Sequence, residues 1–120
     1  MTAYLDHSAT TPLRPEALEA MLTVLTDRFG NPSGVHGVAR SARAAVDEAR
    51  EVMAECLGAK PGEIVFTSGG TESDNLAVLG VQARQGGRVV CCGAEHNAVL
   101  ESVRAAGGKV VATSAAGTID

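Results

Sequence analysis

A chain of 120 residues, 45% apolar and 20% charged, is long enough for one domain with a real core and too hydrophobic for a disordered segment. Its net charge of −4, with no basic stripe and no aromatic platform, argues against a nucleic-acid partner. No stretch nears the roughly 20 apolar residues of a membrane span, and the N-terminus lacks a signal peptide's basic start and apolar run, so a cytoplasmic protein without a membrane partner is expected.

Tyr4, Phe29 and Phe66 are the only aromatics, so the core must come from Val, Leu, Ile and Ala, as in parallel strands packed by small-residue helices. Cys56, Cys91 and Cys92 form neither a disulfide framework nor a zinc-binding pair, and no metal site is expected. After a short extended piece at residues 3–5 and a polar, proline-punctuated stretch, Pro15 suits a first helical position. Leu18, Met21, Leu22, Leu25 and Phe29 follow at helical spacing, predicting a helix that stops near Gly30.

Residues 30–34 (GNPSG) are a loop. A second helix is predicted over 38–57, with Val38, Ala42, Val46, Ala49, Met53 and Cys56 or Leu57 in its stripe and Gly58 as its left-handed stop. Ile64, Val65, Phe66 and Thr67 read as a strand that ends on Ser68-Gly69-Gly70, and a third helix carrying Leu76, Leu79 and Val81 begins at Thr71. Residues 88–92 read as a buried strand in which Cys91 and Cys92 act as small hydrophobes. A turn at 93–96, a helix over 97–106 with Val99, Leu100 and Val103 inward, and a strand over 109–113 complete a β-α-β-α-β order with parallel strands. Residues 117–120 look like the start of another turn, so the architecture is expected to be incomplete, a three-stranded sheet having both edges unpaired.

In open parallel sheets, ligands bind beyond the carboxyl ends of strands. The 68–71 turn supplies unpaired backbone N–H groups at a helix start, a ready seat for a phosphate, with the Thr71 hydroxyl beside it. The 93–96 turn brings the His96 imidazole to the same edge, which suits a phosphorylated heteroaromatic ring. Plainer readings stand next to these: Thr71 with Asp74 as a helix cap with a box-like partner, and His96 as a satisfied residue at a helix start. Glu72 suits the helix dipole but would repel a phosphate, so it is expected to point away from the ligand.

Four blocks, YLDHSATTPLRPEALEAM (4–21), GNPSGVHGVARSAR (30–43), EIVFTSGGTESDNLA (63–77) and AEHNAVLESV (94–103), together resemble the N-terminal part of cysteine desulfurases, class V pyridoxal-phosphate enzymes. The resemblance covers about the first third of such an enzyme. It implies an α/β fold of the fold type I transferases, with residues 1–14 in the small lobe and 15–120 opening the large cofactor-binding domain. It also implies that Gly70 and Thr71 bind the phosphate of pyridoxal 5'-phosphate. His96 would stack on the ring and take part in proton transfer, and Asn31, Pro32, Ser33 and, more loosely, His36 would lie near the active site. Gly34, where a second serine is common, Ala39, where glycine is common, and Asn97 depart from the pattern.

The implied chemistry is conversion of L-cysteine to L-alanine, the sulfur passing to an enzyme cysteine and on to a sulfur-acceptor or scaffold protein for iron–sulfur or thio-cofactor assembly, in a homodimer. The Schiff-base lysine, the aspartate at the pyridinium nitrogen and the sulfur-accepting cysteine are expected further along. Lys60 and Lys109, both read at amino ends of strands, and Cys56 do not match them, so the chain alone is expected to be inactive. Alternatives are another class V activity (a selenocysteine lyase or an aminotransferase) and a non-catalytic remnant or interaction module.

Overall fold

The computed structural model describes residues 3–119, in two compact units that meet in sequence between Ile64 and Val65. In the first unit, α1 spans Pro15–Thr26, with Pro15 at its first turn after an extended Arg14 (φ −67°, ψ 140°). The helix ends before Phe29 rather than near Gly30. The Thr23 and Thr26 hydroxyls bond back to the carbonyls of Glu19 and Leu22. Such back-bonding weakens a helix's last turns. Arg28 then leaves the helical path, donating to both Glu48 carboxylate oxygens at 2.7 and 3.0 Å and to the Ser41 carbonyl. That fork holds the Glu48 carboxyl below its ordinary range, chiefly by hydrogen bonding.

Helix α2 spans Gly37–Leu57 and buries Ala39, Ala42 and Ala54, so small side chains set its contacts, while Val38 and Met53 of the expected stripe stay largely exposed. Its start is capped by His36, whose Nδ1 accepts from the Ala39 N–H at 3.3 Å. Its stop is the expected one: Gly58 is left-handed (φ 64°, ψ 28°), and the Gly58 and Ala59 N–H groups return to the carbonyls of Glu55 and Ala54. A 3₁₀ turn, Pro61–Glu63, packs on α2, and Arg50 Nε donates to the Ile64 carbonyl.

Two of the three departures noted in the sequence, Gly34 and Ala39, face each other. A Cβ on Gly34 would lie 2.8 Å from the Cβ of the fully buried Ala39. One methyl fits between these backbones, and this chain carries it on the helix.

In the second unit, α3 (Gly70–Gln85) is followed by β1 (Val90–Cys92), α4 (Asn97–Ala105) and β2 (Lys109–Val111). The strands pair in parallel, with Val90, Cys91 and Cys92 opposite Lys109, Val110 and Val111, and both are shorter than the sequence predicts. Helix α4 is the crossover between them; it carries the buried Ala98, Leu100, Ser102 and Val103 and also packs against α3. The strand predicted at 64–67 does not form, and among the described residues the sheet has two strands rather than three. Ile64 is extended (φ −94°, ψ 124°), as its β-branched neighbourhood favours, but a strand exists only by pairing and no ladder reaches it. Cys91 and Cys92 are half-buried, and a turn closes at Ser114 and Gly117, while Asp120 lies outside the described residues. Among the described residues no helix is long and apolar enough to cross a membrane.

The α4–β2 turn is the tightest point of this unit. A Cβ on Gly108 would lie 2.5 Å from the Val89 carbonyl oxygen and 2.7 Å from Val103 Cγ1. Because the first obstacle is backbone, Gly108→Ala is expected to cost about 2 kcal/mol or more, while Gly62→Ala, with nothing within 4 Å, stays within about 0.5 kcal/mol. Thermal unfolding followed by circular dichroism reads the difference, and equal melting of the two variants contradicts it. Gly34→Ala is expected to destabilise by about 1–3 kcal/mol and to be partly rescued by Ala39→Gly in a double-mutant cycle. Strictly additive effects in denaturant unfolding would show that the two positions do not compete for space.

Candidate functional site

The chemistry of the second unit gathers at two helix starts. The first is the 67–73 turn. Helix α3 begins at Gly70 with Gly69 as its N-cap, and no side chain caps it. Thr71 is therefore the second residue of the helix, so the capping alternative, Thr71 with Asp74 as its box partner, is not what forms. Ser73 N–H bonds to the Gly69 carbonyl, as a helix start requires. The N–H groups of Gly70, Thr71 and Glu72 have no acceptor among the described residues, nor does the Thr71 hydroxyl have a partner. The turn is exposed, and a Cβ on Gly69 or Gly70 would meet nothing within 4 Å.

Unpaired N–H groups at a 16-residue helix's positive end, with a free hydroxyl beside them and no side chain in front, are a donor set that fits a phosphate group. Glu72 does not cover it. Its Oε2 accepts from the Ser68 N–H at 2.7 Å and from the Ser68 hydroxyl at 2.6 Å, and these bonds, more than any nearby charge, lower its pKa below the ordinary carboxylate value. Glu72, expected to point away from a ligand, is tied to Ser68. A second tether flanks the glycines: the Thr67 and Ser73 hydroxyls lie 2.7 Å apart, and each reaches the Gly69 carbonyl at 3.2 Å.

The second helix start is His96. It follows β1 through the 93–96 turn, where the Gly93 N–H extends the ladder to the Val111 carbonyl at 2.7 Å and the Ala94 N–H reaches Cys92 Sγ. His96 is the N-cap of α4, its Nδ1 accepting from the Ala98 N–H at 3.1 Å. The plain reading of His96 is thus correct for one nitrogen. The exposed ring keeps Nε2 and its faces free for a ligand.

Gly70, Thr71 and His96 therefore lie at the first turns of two helices that pack together, with no hydrogen bond joining them among the described residues. Asn31, Pro32, Ser33 and His36 belong to the first unit. Asn31 Oδ1 accepts from the Ser33 N–H at 2.9 Å, which fixes that loop as an Asx turn. Lys109 opens β2, at the edge of the sheet opposite the 93–96 turn. Lys60 starts the 3₁₀ turn, not a strand; its N–H is bound by the Glu63 carboxylate at 2.8 Å. The residues that sequence reasoning missed are the tethers. Their sequence trace, Ser68 and Glu72 four apart across a glycine pair, is too common a spacing to have pointed to them.

The aminotransferase class-V family model matches residues 3–118. The chain is 53% identical over 107 residues to an IscS-like cysteine desulfurase of Mycobacterium tuberculosis, covering 84% of this chain and 27% of that protein. It is 52% identical over 101 residues to a cysteine desulfurase of Dictyoglomus turgidum, covering 82% and 26%. A mitochondrial cysteine desulfurase of Drosophila melanogaster is 48% identical over 106 residues, covering 85% and 23%. Among solved structures, SspA in complex with cysteine superposes with a TM-score of 0.79 at 38% identity, over 92% of this chain and 34% of that one. A NifS-like protein superposes with a TM-score of 0.77 at 35% identity, over 94% and 33%. The chain spans about a quarter of the length of the curated relatives it matches.

An N–H donated into Nδ1 leaves the proton of the neutral ring on Nε2. Nitrogen-15 correlation spectra are expected to show His96 as the Nε2–H tautomer with Nδ1 unprotonated. A predominant Nδ1–H form would remove the cap.

Proposed function

The chain belongs to the class-V aminotransferase family, and from that premise we propose that it carries the phosphate seat and the ring-facing histidine of a pyridoxal-phosphate-dependent cysteine desulfurase. One observation carries the proposal: in a chain about half identical to such enzymes, the start of α3 is left without a side-chain cap and its donors without acceptors. A stable helix ordinarily closes its N-terminus with Ser, Thr, Asp or Asn. A glycine there, with a free threonine hydroxyl two residues on, exchanges local stability for an anion site.

Each residue then has a part. Gly70 and Thr71 give backbone N–H groups to the cofactor phosphate, and Thr71 adds its hydroxyl. His96, oriented by its cap, presents Nε2 to hold or move a proton beside the ring. Pyridoxal phosphate, when bound, supplies an electron sink that lets the substrate's C–S bond break. The overall reaction takes L-cysteine to L-alanine and passes sulfur to an enzyme cysteine. Iron–sulfur cluster or thio-cofactor assembly is the destination, through a sulfur-acceptor or scaffold protein. Lys60, Lys109 and the three cysteines are assigned no covalent role.

Residues 1–14 belong to a small lobe and 15–120 open the large domain of a homodimeric enzyme. The location is the cytoplasm in this proposal, although a relative is mitochondrial.

Thr71→Ala is expected to weaken pyridoxal phosphate binding by about tenfold, the loss of one hydrogen bond to a charged acceptor. Calorimetric titration reads it, and unchanged affinity would return Thr71 to an ordinary helix position.

A further inference from the structure

An acidic side chain in the first turn of an anion-binding helix needs a reason. By charge alone, Glu72 opposes any phosphate seated on Gly70 and Thr71. Favourable interaction with the helix dipole would explain a free carboxylate at this position, but this one is not free. One oxygen, Oε2, takes both the backbone N–H and the hydroxyl of Ser68, closing a ring across Gly69, Gly70 and Thr71. Glycine pairs are the most pliable dipeptides, and a Cβ on either of these would meet nothing within 4 Å. Their path must be set from outside, and the Ser68–Glu72 and Thr67–Ser73 bonds are the contacts on either side that can set it. Left slack, the same turn could fold its own Ser68 hydroxyl over the helix start as an ordinary serine cap, closing the seat. In the structure that hydroxyl is occupied by the carboxylate instead.

Resting on the cofactor-phosphate reading, we propose that Glu72 is a positioning residue for the phosphate seat: by holding the Ser68 N–H and hydroxyl it fixes the glycine turn and keeps the Gly70 and Thr71 donors uncapped. The lowered pKa of Glu72 keeps its carboxylate in the accepting form. The cost is a negative charge beside the phosphate, and the benefit is a seat already in shape before its ligand arrives.

Two variants separate tether from charge. Glu72→Ala removes both. Glu72→Gln removes the charge and keeps a carbonyl that can accept from Ser68. The probe is pyridoxamine phosphate, which has no aldehyde to react with lysines, compared with unphosphorylated pyridoxamine, and the readout is the amide shifts of Gly70 and Thr71. In the wild-type chain the phosphate ester is expected to move both amides and pyridoxamine neither. Glu72→Ala is expected to raise Kd about tenfold, and Glu72→Gln to leave it unchanged or lower it as repulsion goes. Without ligand, Ser68 amide exchange is expected to be faster in Glu72→Ala than in the wild type. Should Glu72→Ala fail to fold, Ser68→Ala takes its place, with an expected loss of about threefold. Equal changes in the alanine and glutamine variants, in either direction, overturn the role of Glu72, as does an unchanged Kd in Ser68→Ala when that variant stands in. A wild-type chain whose Gly70 and Thr71 amides ignore pyridoxamine phosphate overturns the seat itself and this inference with it.

Discussion

The unpaired N–H groups at the start of α3 are the constraint around which the second unit is arranged. A helix N-terminus is normally closed locally, because three or four donors without acceptors are costly wherever water is scarce. Here the cap position is Gly69, which has no side chain to give, and the turn stays in solvent so that water can satisfy what the chain does not. Several polar side chains nearby are engaged with something other than those donors. Thr67 and Ser73 hold the Gly69 carbonyl, Glu72 holds Ser68, and Asn75 donates to the Thr71 carbonyl. That avoidance, more than the glycines themselves, is what supports the proposal of a phosphate seat over a poorly capped helix.

The histidines show how a helix cap can occupy one ring nitrogen and leave the other available. His36 and His96 both cap helices through Nδ1, on α2 and α4. A serine would cap as well with less bulk, so capping alone does not call for imidazole. At His96 the cap has a further effect: it fixes the ring's rotation and leaves a single nitrogen for proton chemistry, which is the service a second residue usually renders a catalytic histidine. In this chain the backbone of the following helix provides it.

Much of this was legible in the sequence because it rests on local rules. Pro15, Gly58 and the glycines at 86, 87, 107 and 108 mark helix limits by backbone chemistry that needs no tertiary knowledge, and β1, α4 and β2 follow from period and length. What was not legible depends on partners. The β propensity of residues 64–67 is real, yet a strand is a relation between two segments, and none pairs with it among the described residues. Arg28, just past the early end of α1, pairs with Glu48, twenty residues away, a partner no local rule names. That Gly34 and Ala39 meet is likewise a tertiary fact: a Cβ on Gly34 would lie 2.8 Å from the Ala39 Cβ. At the proposed site, Gly70, Thr71 and His96 were named by motif, whereas the tethers shaping the turn needed coordinates, because a serine and a glutamate four apart usually signify nothing.

Glu72 also bears on how such a seat persists without its ligand. The free state leaves several donors and the positive end of α3 without a counter-charge, and a carboxylate in the first turn offsets part of that field. Binding a phosphate brings a second anion to the same helix end, so the two compete for the dipole even though they use different donors. A carboxylate fixed on the Ser68 side serves the free state through the dipole and the bound state through geometry. A mobile carboxylate at the same position would serve only the first, and would be free to swing over Gly70 and Thr71 and occupy their N–H groups itself. On the proposed reading, fixing the acid lets an acidic residue and an anion seat share one helix turn.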